Sequence, residues 1–294
     1  MSTFKKGVFC AVVAQLLWGL FPVYWKWLNG VNPLEVLSHR NVWCAFFLGL
    51  LVLLSKERRQ VCRSVLGNVR DIGVHALSAI LVASNWLVYI WAVINERVID
   101  ASLGYFLSPL VSVVLGYLFF AERLSHLQWL AVTLASVGVL VMTVAGGVVP
   151  WIGLTLALTF GVYGLARKKA STGPINGLFI ETITLIPISF AALCWMSAHG
   201  TLYFSLSIGK TELLLIFSGV ITAAPLVLYA QGARSLPLSL SGIIVFITPT
   251  IQFLVGWIIY NEPIANKRWI GFVCIWTALI IYSLAIVRNR ERAP

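Results

Sequence analysis

Apolar residues run along this chain in stretches too long for the buried helices of a soluble domain, and the few charges mark where each stretch ends. No Asp, Glu, Lys or Arg falls between Asp71 and Glu96, Asp100 and Glu122, Arg123 and Arg167, Glu212 and Arg234, Arg234 and Glu262, or Arg268 and Arg288. A bilayer core about 30 Å thick needs roughly 20 apolar residues at 1.5 Å per residue, so each gap holds one spanning helix or two. The pattern predicts ten spans, at about Gly7–Trp25, Pro33–Leu54, Val74–Ile94, Ala101–Ala121, Leu127–Val144, Val148–Ala166, Pro174–Ser197, Leu213–Ala233, Pro237–Tyr260 and Trp269–Val287. The longest gap divides at Gly146-Gly147 and Pro150, because glycine loosens the backbone and proline lacks an N–H.

Charge supplies the orientation. Taking alternate loops together puts Lys5, Lys6, Lys56, Arg58, Arg59, Arg63, Arg70, Arg123, Arg167, Lys168, Lys169, Arg234, Arg288, Arg290 and Arg292, fifteen in all, on one side. Only Lys26, Arg97, Lys210, Lys267 and Arg268 fall on the other, with Arg40 left inside the membrane. Basic loops stay cytoplasmic, so the expectation is a multi-pass protein of the inner (plasma) membrane with both termini in the cytoplasm. Lys5-Lys6 before an apolar stretch also resembles a signal peptide, but the stretch is as long as a span and no A-x-A site follows it. It reads as a retained first helix.

Composition agrees. Of 294 residues 60% are hydrophobic and 11% charged, which excludes a soluble globular domain, disorder, collagen-like repeats and a secreted disulfide scaffold. Cys10, Cys44, Cys62, Cys194 and Cys274 show no C-x-x-C spacing, so neither a disulfide framework nor a metal site is suggested. The formal charge of +11 sits in short loops, where topology explains it without a nucleic-acid partner.

Sliding the chain against itself by 140 residues aligns Tyr89 with Tyr229, Phe106 with Phe246, Pro109 with Pro249, Gly116 with Gly256, Glu122 with Glu262 and Trp129 with Trp269. A shift of 142 places Trp18-Gly19 on Phe160-Gly161 and Lys26 on Lys168. The chain therefore reads as two five-helix units, residues 1–146 and 147–294. Five is odd, so the second unit lies upside down relative to the first. Inverted repeats recur in secondary transporters, with the substrate near the midplane between them.

These residues also carry a family resemblance. Asn85-Trp86, Tyr89, Trp91-Ala92-Val93, Ala101-Ser102-Leu103-Gly104-Tyr105-Phe106, Pro109-Leu110, Gly116, Glu122-Arg123-Leu124 and Gln128-Trp129 resemble the first repeat of an EamA-type transporter of the drug/metabolite transporter superfamily. Pro225, Ala233-Arg234, Leu236-Pro237-Leu238, Gly242, Pro249-Thr250, Gln252-Phe253 and Glu262-Pro263 resemble the second, and the combination is most similar to the RarD subgroup. The resemblance implies an all-α carrier of ten transmembrane helices for small metabolites or drugs. It implies no particular substrate; the lysine patterns of phosphorylated-sugar relatives are not evident, since no lysine lies within a span.

Ionisable groups inside spans are costly unless they face a cavity or a partner, which singles out Glu35, His39, Arg40 and Glu181 as candidates for proton or charge coupling. Asn32-Pro33-Leu34-Glu35 also reads as a helix cap, with proline at the first helical position and Glu three residues after the cap. His39 is one turn beyond Glu35 on the same face. Arg40 and Glu181 invite pairing, yet Arg40 is roughly 10 Å from the outer end of its span and Glu181 a similar distance from the inner end of its own. Their alternatives are Arg40 reaching out to Asp100 and Glu181 pairing with Arg167 or Arg234.

A second constellation comprises Gln15, Trp18, Asn85, Trp86, Tyr89, Tyr105, Phe106, Tyr163, Tyr229, Gln231, Phe246 and Gln252, which with Glu181 make the candidate substrate contacts. Amides in hydrocarbon need a helix or a ligand as partner, and an apolar pocket with a few directional polar groups is the usual lining of a small-molecule site. Pro109 and Pro249, each mid-helix, are candidate gating kinks, against the alternative of static bends. Trp25, Trp27, Trp129, Trp151, Trp269 and Tyr260 stand at span ends as interface anchors. Glu122 and Glu262 fall at helix ends in structural roles, and Ser125-His126-Leu127-Gln128 is a capping box. Gly104, Ser108, Ser112 and Gly116 form a small-residue stripe for close packing.

The leading functional expectation is a secondary carrier exporting small metabolites or amphipathic drugs by alternating access, with a coupling proton as a possible partner. The alternative is an importer of an amino acid, nucleoside-like compound or other nutrient. No G-x-x-x-x-G-K-[ST] loop is present to supply ATP drive, and no cofactor is implied. His75, His126 and His199 lie near span ends with no carboxylate cluster or nucleophile to complete a catalytic set, which disfavours a lipid-modifying enzyme. A non-transport membrane subunit is the remaining class.

Overall fold

The computed structural model describes residues 3–120, 123–146, 149–170, 172–233, 236 and 238–291. Among these every regular element is a helix: α1 (Thr3–Gly19), α2 (Phe21–Lys26), α3 (Pro33–Leu53), α4 (Lys56–Leu66), α5 (Val69–Ile94), α6 (Val98–Phe120), α7 (His126–Gly146), α8 (Trp151–Lys169), α9 (Pro174–Ala198), α10 (Lys210–Ala233), α11 (Leu238–Ile244), α12 (Ile247–Leu254), a π-helical turn (Val255–Ile259) and α13 (Asn266–Glu291). Among the described residues eight helices are long and apolar enough to cross a membrane, with Thr3–Lys26 taken as one broken rod. Leu53, Leu118, Leu140, Ile188, Trp195 and Leu284 lie exposed on their outer faces, as a lipid-facing surface requires. This is a multi-pass membrane protein.

Two expected spans fall short of that measure. Helix α8 ends in Arg167-Lys168-Lys169, which lowers its mean hydropathy. The ninth expected span is divided into α11, α12 and the π turn, leaving only Ile247–Ile259 as a short apolar rod. Its expected start at Pro237 lies outside the described residues, as do Val148, Gly147, Ala121, Glu122, Arg234 and Arg292. The first span breaks at Leu20 because Pro22 has no N–H to give the preceding turn. Helix α4 occupies what the sequence reads as a loop; Cys62 and Val65 bury one edge of it against Val52 and Ile180.

Local signals set several ends. Asn32 Oδ1 accepts from the Leu34 N–H at 2.9 Å, with Pro33 next to it at the start of α3. Ser125 and Gln128 form the expected box before α7: the Ser125 N–H donates to Gln128 Oε1 at 2.9 Å and the Gln128 N–H to Ser125 Oγ at 3.4 Å. Glu262 caps a distant helix, accepting from the N–H groups of Val98 and Ile99 at 2.7 and 2.8 Å. It thereby neutralises orphan donors at the start of α6.

Glycines let the rods approach. A Cβ on Gly138 of α7 would lie 2.9 Å from the Gly271 carbonyl of α13, one on Gly104 of α6 2.8 Å from Gly153 O of α8, and one on Gly232 of α10 2.7 Å from Gly7 O of α1. Further packed pairs are α3 with α9 and α10, α5 with α8 and α9, and α12 with α1 and α6. One apolar cluster, including Trp25, Leu28, Val31, Ile90, Val93, Ile152 and Leu215, fills the end of the bundle that carries α2. Trp25 is therefore no interface anchor: it is fully buried, whereas Trp27, Trp129 and Trp151 are exposed.

Candidate functional site

The helices leave a cavity of about 430 Å³ at the centre of the bundle. Its wall is built from matched turns of several helices. On α6, Tyr105, Ser108, Pro109 and Ser112 line it, the i, i+3, i+4, i+7 positions of one face. On α5 the lining residues are Val82, Asn85, Trp86 and Tyr89, and on α10 they are Thr222, Leu226 and Tyr229. Gln15, Trp18 and Phe21 come from α1 and α2, Arg40 from α3, Phe160 and Tyr163 from α8, Leu178 from α9, and Val245, Thr248, Pro249 and Gln252 from the broken ninth rod.

Of the residues singled out in the sequence, Gln15, Trp18, Arg40, Asn85, Trp86, Tyr89, Tyr105, Pro109, Tyr163, Tyr229, Pro249 and Gln252 all lie on this wall. Phe106 and Phe246 do not. Each follows a lining residue by one position, and 100° of helical rotation turns it into the cluster between α6, α7, α12 and α13. Gln231, two residues past Tyr229, is exposed on α10. The lining residues not singled out as contacts are Phe21, Val82, Ser108, Ser112, Phe160, Leu178, Thr222, Leu226, Val245 and Thr248. The signal that finds many of them is the same 140-residue shift: Val82 and Thr222, Trp86 and Leu226, Tyr89 and Tyr229, Tyr105 and Val245, Ser108 and Thr248, Pro109 and Pro249, and Ser112 and Gln252 are lining pairs.

Most polar groups on the wall already have partners. Asn85 Nδ2 donates to the Leu156 carbonyl at 3.0 Å and to Thr159 Oγ1 at 2.9 Å, and its Oδ1 accepts from the Tyr105 hydroxyl at 3.2 Å. Thr248 Oγ1 donates to Gln15 Oε1 at 2.7 Å. Gln252 Nε2 donates to the Tyr89 hydroxyl at 3.0 Å and to the Trp18 carbonyl at 3.2 Å. That carbonyl is the one Pro22, four residues on, cannot reach with an N–H; the break in α1 thus creates the acceptor that ties α12 to it. Gln252 Oε1 has no hydrogen-bond partner among the described residues.

Of the lining residues, Arg40 alone is charged. Only 3% exposed, it does not reach Asp100, which pairs instead with Arg97 at 3.5 Å and with Arg268. Its guanidinium lies 3.7 Å from the centre of the Trp86 ring. Glu181 is not its partner either. Fully buried behind the wall, Glu181 pairs with Arg167 at 3.5 Å and accepts from the Tyr163 hydroxyl at 3.2 Å. Arg167 also donates to Thr172 and to the Gly173 carbonyl, and Thr172 contacts His75 Nε2 at 2.9 Å. This polar cluster lies at the end of the bundle opposite α2.

Glu35 and His39 lie at the α2 end, away from the cavity. Glu35 does not complete the cap at Asn32; its oxygens accept from the Tyr203 N–H at 3.0 and 3.1 Å and from the Phe204 N–H at 2.8 Å, pinning the connection between α9 and α10. Phe204 in turn stacks on His39, ring centres 4.6 Å apart. The two therefore form no Glu–His pair: the loop backbone takes the carboxylate. Among the described residues no group of three or more His, Cys, Asp or Glu side chains could hold a metal.

The EamA-like transporter family matches residues 5–144 and again 149–284. A Bacillus subtilis (strain 168) protein called uncharacterized transporter YojE is 40% identical over 287 residues, covering 97% of this chain and 95% of its own. Protein RarD of Salmonella typhi is 39% identical over 289 residues, covering 98% of each. A crystal structure of a protein 18% identical in sequence superposes with a TM-score of 0.60 over 96% of this chain and 99% of that one, a likeness of fold.

Proposed function

Because this chain belongs to the EamA-like transporter family and is RarD-like over nearly its whole length, it is a membrane transporter, and we propose that it is a secondary carrier exporting small metabolites or amphipathic drugs across the inner membrane. The observation that carries this reading is the central cavity, whose lining positions recur 140 residues apart. Two inverted five-helix repeats, 1–146 and 147–294, each contribute half of such a site, and rocking one against the other gives alternating access. On this reading α8 and the divided α11–α12 rod also span, making ten.

Helix packing supports the repeat. Exchanging α1 with α8, α3 with α9, α5 with α10, α6 with α12 and α7 with α13 turns the pair α6–α8 into α12–α1, α5–α8 into α10–α1 and α5–α9 into α10–α3. It returns α3–α9 and α7–α13 to themselves. Every one of these is a packed pair. The charge asymmetry between loops supports cytoplasmic termini. The cavity reaches Leu178, Tyr163 and Tyr229 in the halves of their helices nearer the basic loops, while apolar packing around Trp25 fills the α2 end; on this reading it is the cytoplasm-facing state from which an exporter loads. Glu181 is the coupling group in this scheme, joined to the cavity through the Tyr163 hydroxyl. Unchanged pH dependence of flux in Glu181→Gln removes that role.

The test is flux. Purified protein in liposomes should give saturable, counterflow-competent movement of at least one member of a panel of labelled aromatic and amphipathic metabolites. Rates equal to those of protein-free vesicles across the panel sink the carrier reading.

A further inference from the structure

The cavity wall holds a cation, Arg40, that no carboxylate pairs with among the described residues. Nε and Nη1 of Arg40 have no hydrogen-bond partner among the described residues. The carboxylates that could approach are engaged elsewhere: Glu181 by Arg167, Glu35 by the backbone of Tyr203 and Phe204, and Asp100 by Arg97 and Arg268. Aromatic faces supply what stabilisation there is, Trp86 at 3.7 Å and Trp25 at 5.2 Å. Such contacts are weak beside the cost of holding an unpaired charge out of water. A lysine or histidine could discard its proton, but a guanidinium does not. An intramembrane charge kept at that cost and set on a cavity wall points to a ligand-binding group.

We propose that the substrate is an amphipathic monocarboxylate whose carboxylate pairs with Arg40 and whose apolar body fills the rest of the cavity. This deepens the carrier reading and rests on it. The planar guanidinium matches a carboxylate geometrically. A second donor stands on the same face of α5 as Trp86: the Tyr89 hydroxyl accepts from Gln252, which leaves its own hydrogen free to give. One cation and one hydroxyl suit a single negative charge; a phosphate dianion would leave a charge uncompensated. Leu178, Leu226 and Val245 line the cavity as well and offer nothing polar, and most hydroxyls and amides of the wall are already paired within the protein, so the remainder of the molecule is predominantly apolar.

The test compares labelled 2-naphthoate with 2-naphthamide, which differ in charge and little in shape, for binding to the purified full-length protein in detergent. The acid should bind at least about tenfold more tightly than the amide, the size of a charge-assisted hydrogen bond lost. Arg40→Gln should abolish that preference; Arg40→Lys should keep part of it. Equal affinity for acid and amide, no binding of either, or a preference that survives in Arg40→Gln overturns the proposal. So does displacement of naphthoate by millimolar inorganic phosphate as effective as by benzoate. If Arg40→Gln does not fold, the wild-type comparison and Arg40→Lys still decide. Liposome flux is scored separately: acid-selective binding without flux refutes the carrier and leaves the anion site, whereas flux indifferent to charge refutes the anion site and leaves the carrier.

Discussion

Gly177 occupies an unusual place in the polar cluster: a Cβ there would fall on the guanidinium of Arg167. Gly177→Ala should therefore evict Arg167 from Glu181 without altering either charged residue. Separating a buried ion pair and leaving one charge uncompensated costs about 3–5 kcal/mol. Several terms reduce this here. Arg167 is 15% exposed and can turn to water. Glu181 can relieve its burial by taking up a proton, and alanine improves on glycine within a helix by roughly 0.5–1 kcal/mol. Lost hydrogen bonds from Arg167 to Thr172 and Gly173 add about 1 kcal/mol each. The expected net destabilisation is about 2–3 kcal/mol. In a Glu181→Gln background the Arg167 hydrogen bonds are still lost but no ion pair is, so the same substitution should cost about 1 kcal/mol, a coupling of roughly 1–2 kcal/mol. Equilibrium unfolding in mixed micelles, followed by near-ultraviolet circular dichroism, measures all four corners of the cycle. Equal costs of Gly177→Ala in the two backgrounds would refute the claim that the Arg167–Glu181 pair holds this end of the cavity.

Glu262→Ala should destabilise the protein by about 1–2 kcal/mol, the value of a helix cap, and amide exchange at Val98 and Ile99 should rise with it. Burial pushes the Glu262 carboxyl above its ordinary value of 4.5, outweighing the two N–H donors that lower it. The proton-linked part of its stabilisation is then fully present below the ordinary value and lost as pH rises through the shifted one, a slope added to the cap itself that Glu262→Gln should erase in unfolding titrations. Glu35→Ala should free the connection between α9 and α10: exchange at Tyr203 and Phe204 should increase about tenfold or more, corresponding to roughly 1.5–3 kcal/mol for bonds to a charged acceptor. Pro249→Ala restores the N–H that α12 lacks toward Val245; exchange at 245–250 should slow and flux should fall, while Pro109→Ala in the unbroken α6 should change exchange little.

Much of this arrangement was legible in the chain. The gaps between charges locate most of the helices, since a bilayer demands length and apolarity and little else. Tyr89, Trp86 and Asn85 were legible as wall residues because aromatic and amide groups inside hydrocarbon need partners. What misleads is rotation. Tyr105 and Phe106 look alike in composition, and only the helical face decides that one lines the cavity and the other packs near Trp276, ring centres 6.3 Å apart. The fates of Glu35 and Trp25 depend on distant partners, the 203–204 backbone and the aromatic cluster around α2, that no local pattern reveals.

The matched positions carry unmatched chemistry, and this asymmetry separates the scaffold from the site. Pro109 sits inside a continuous α6, whereas its counterpart Pro249 follows a break at Val245 and Phe246; the freed carbonyl four residues before each proline is Tyr105 in one case and Val245 in the other. Trp86 faces Arg40, while the equivalent Leu226 has no ring with which to receive a cation. Glu181, standing near the place in the second half that Arg40 holds in the first, is withdrawn behind the wall by Arg167. A perfectly repeated cavity would present the same charge to both sides of the membrane. With the glutamate paired and Nε and Nη1 of Arg40 without a hydrogen-bond partner among the described residues, the proposed site would grip an anionic group at one wall while the rest of the ligand meets a lining whose polar groups are mostly paired within the protein. On the proposed carrier reading, the repeat would serve the motion, and its local failure at Arg40 and Glu181 the recognition.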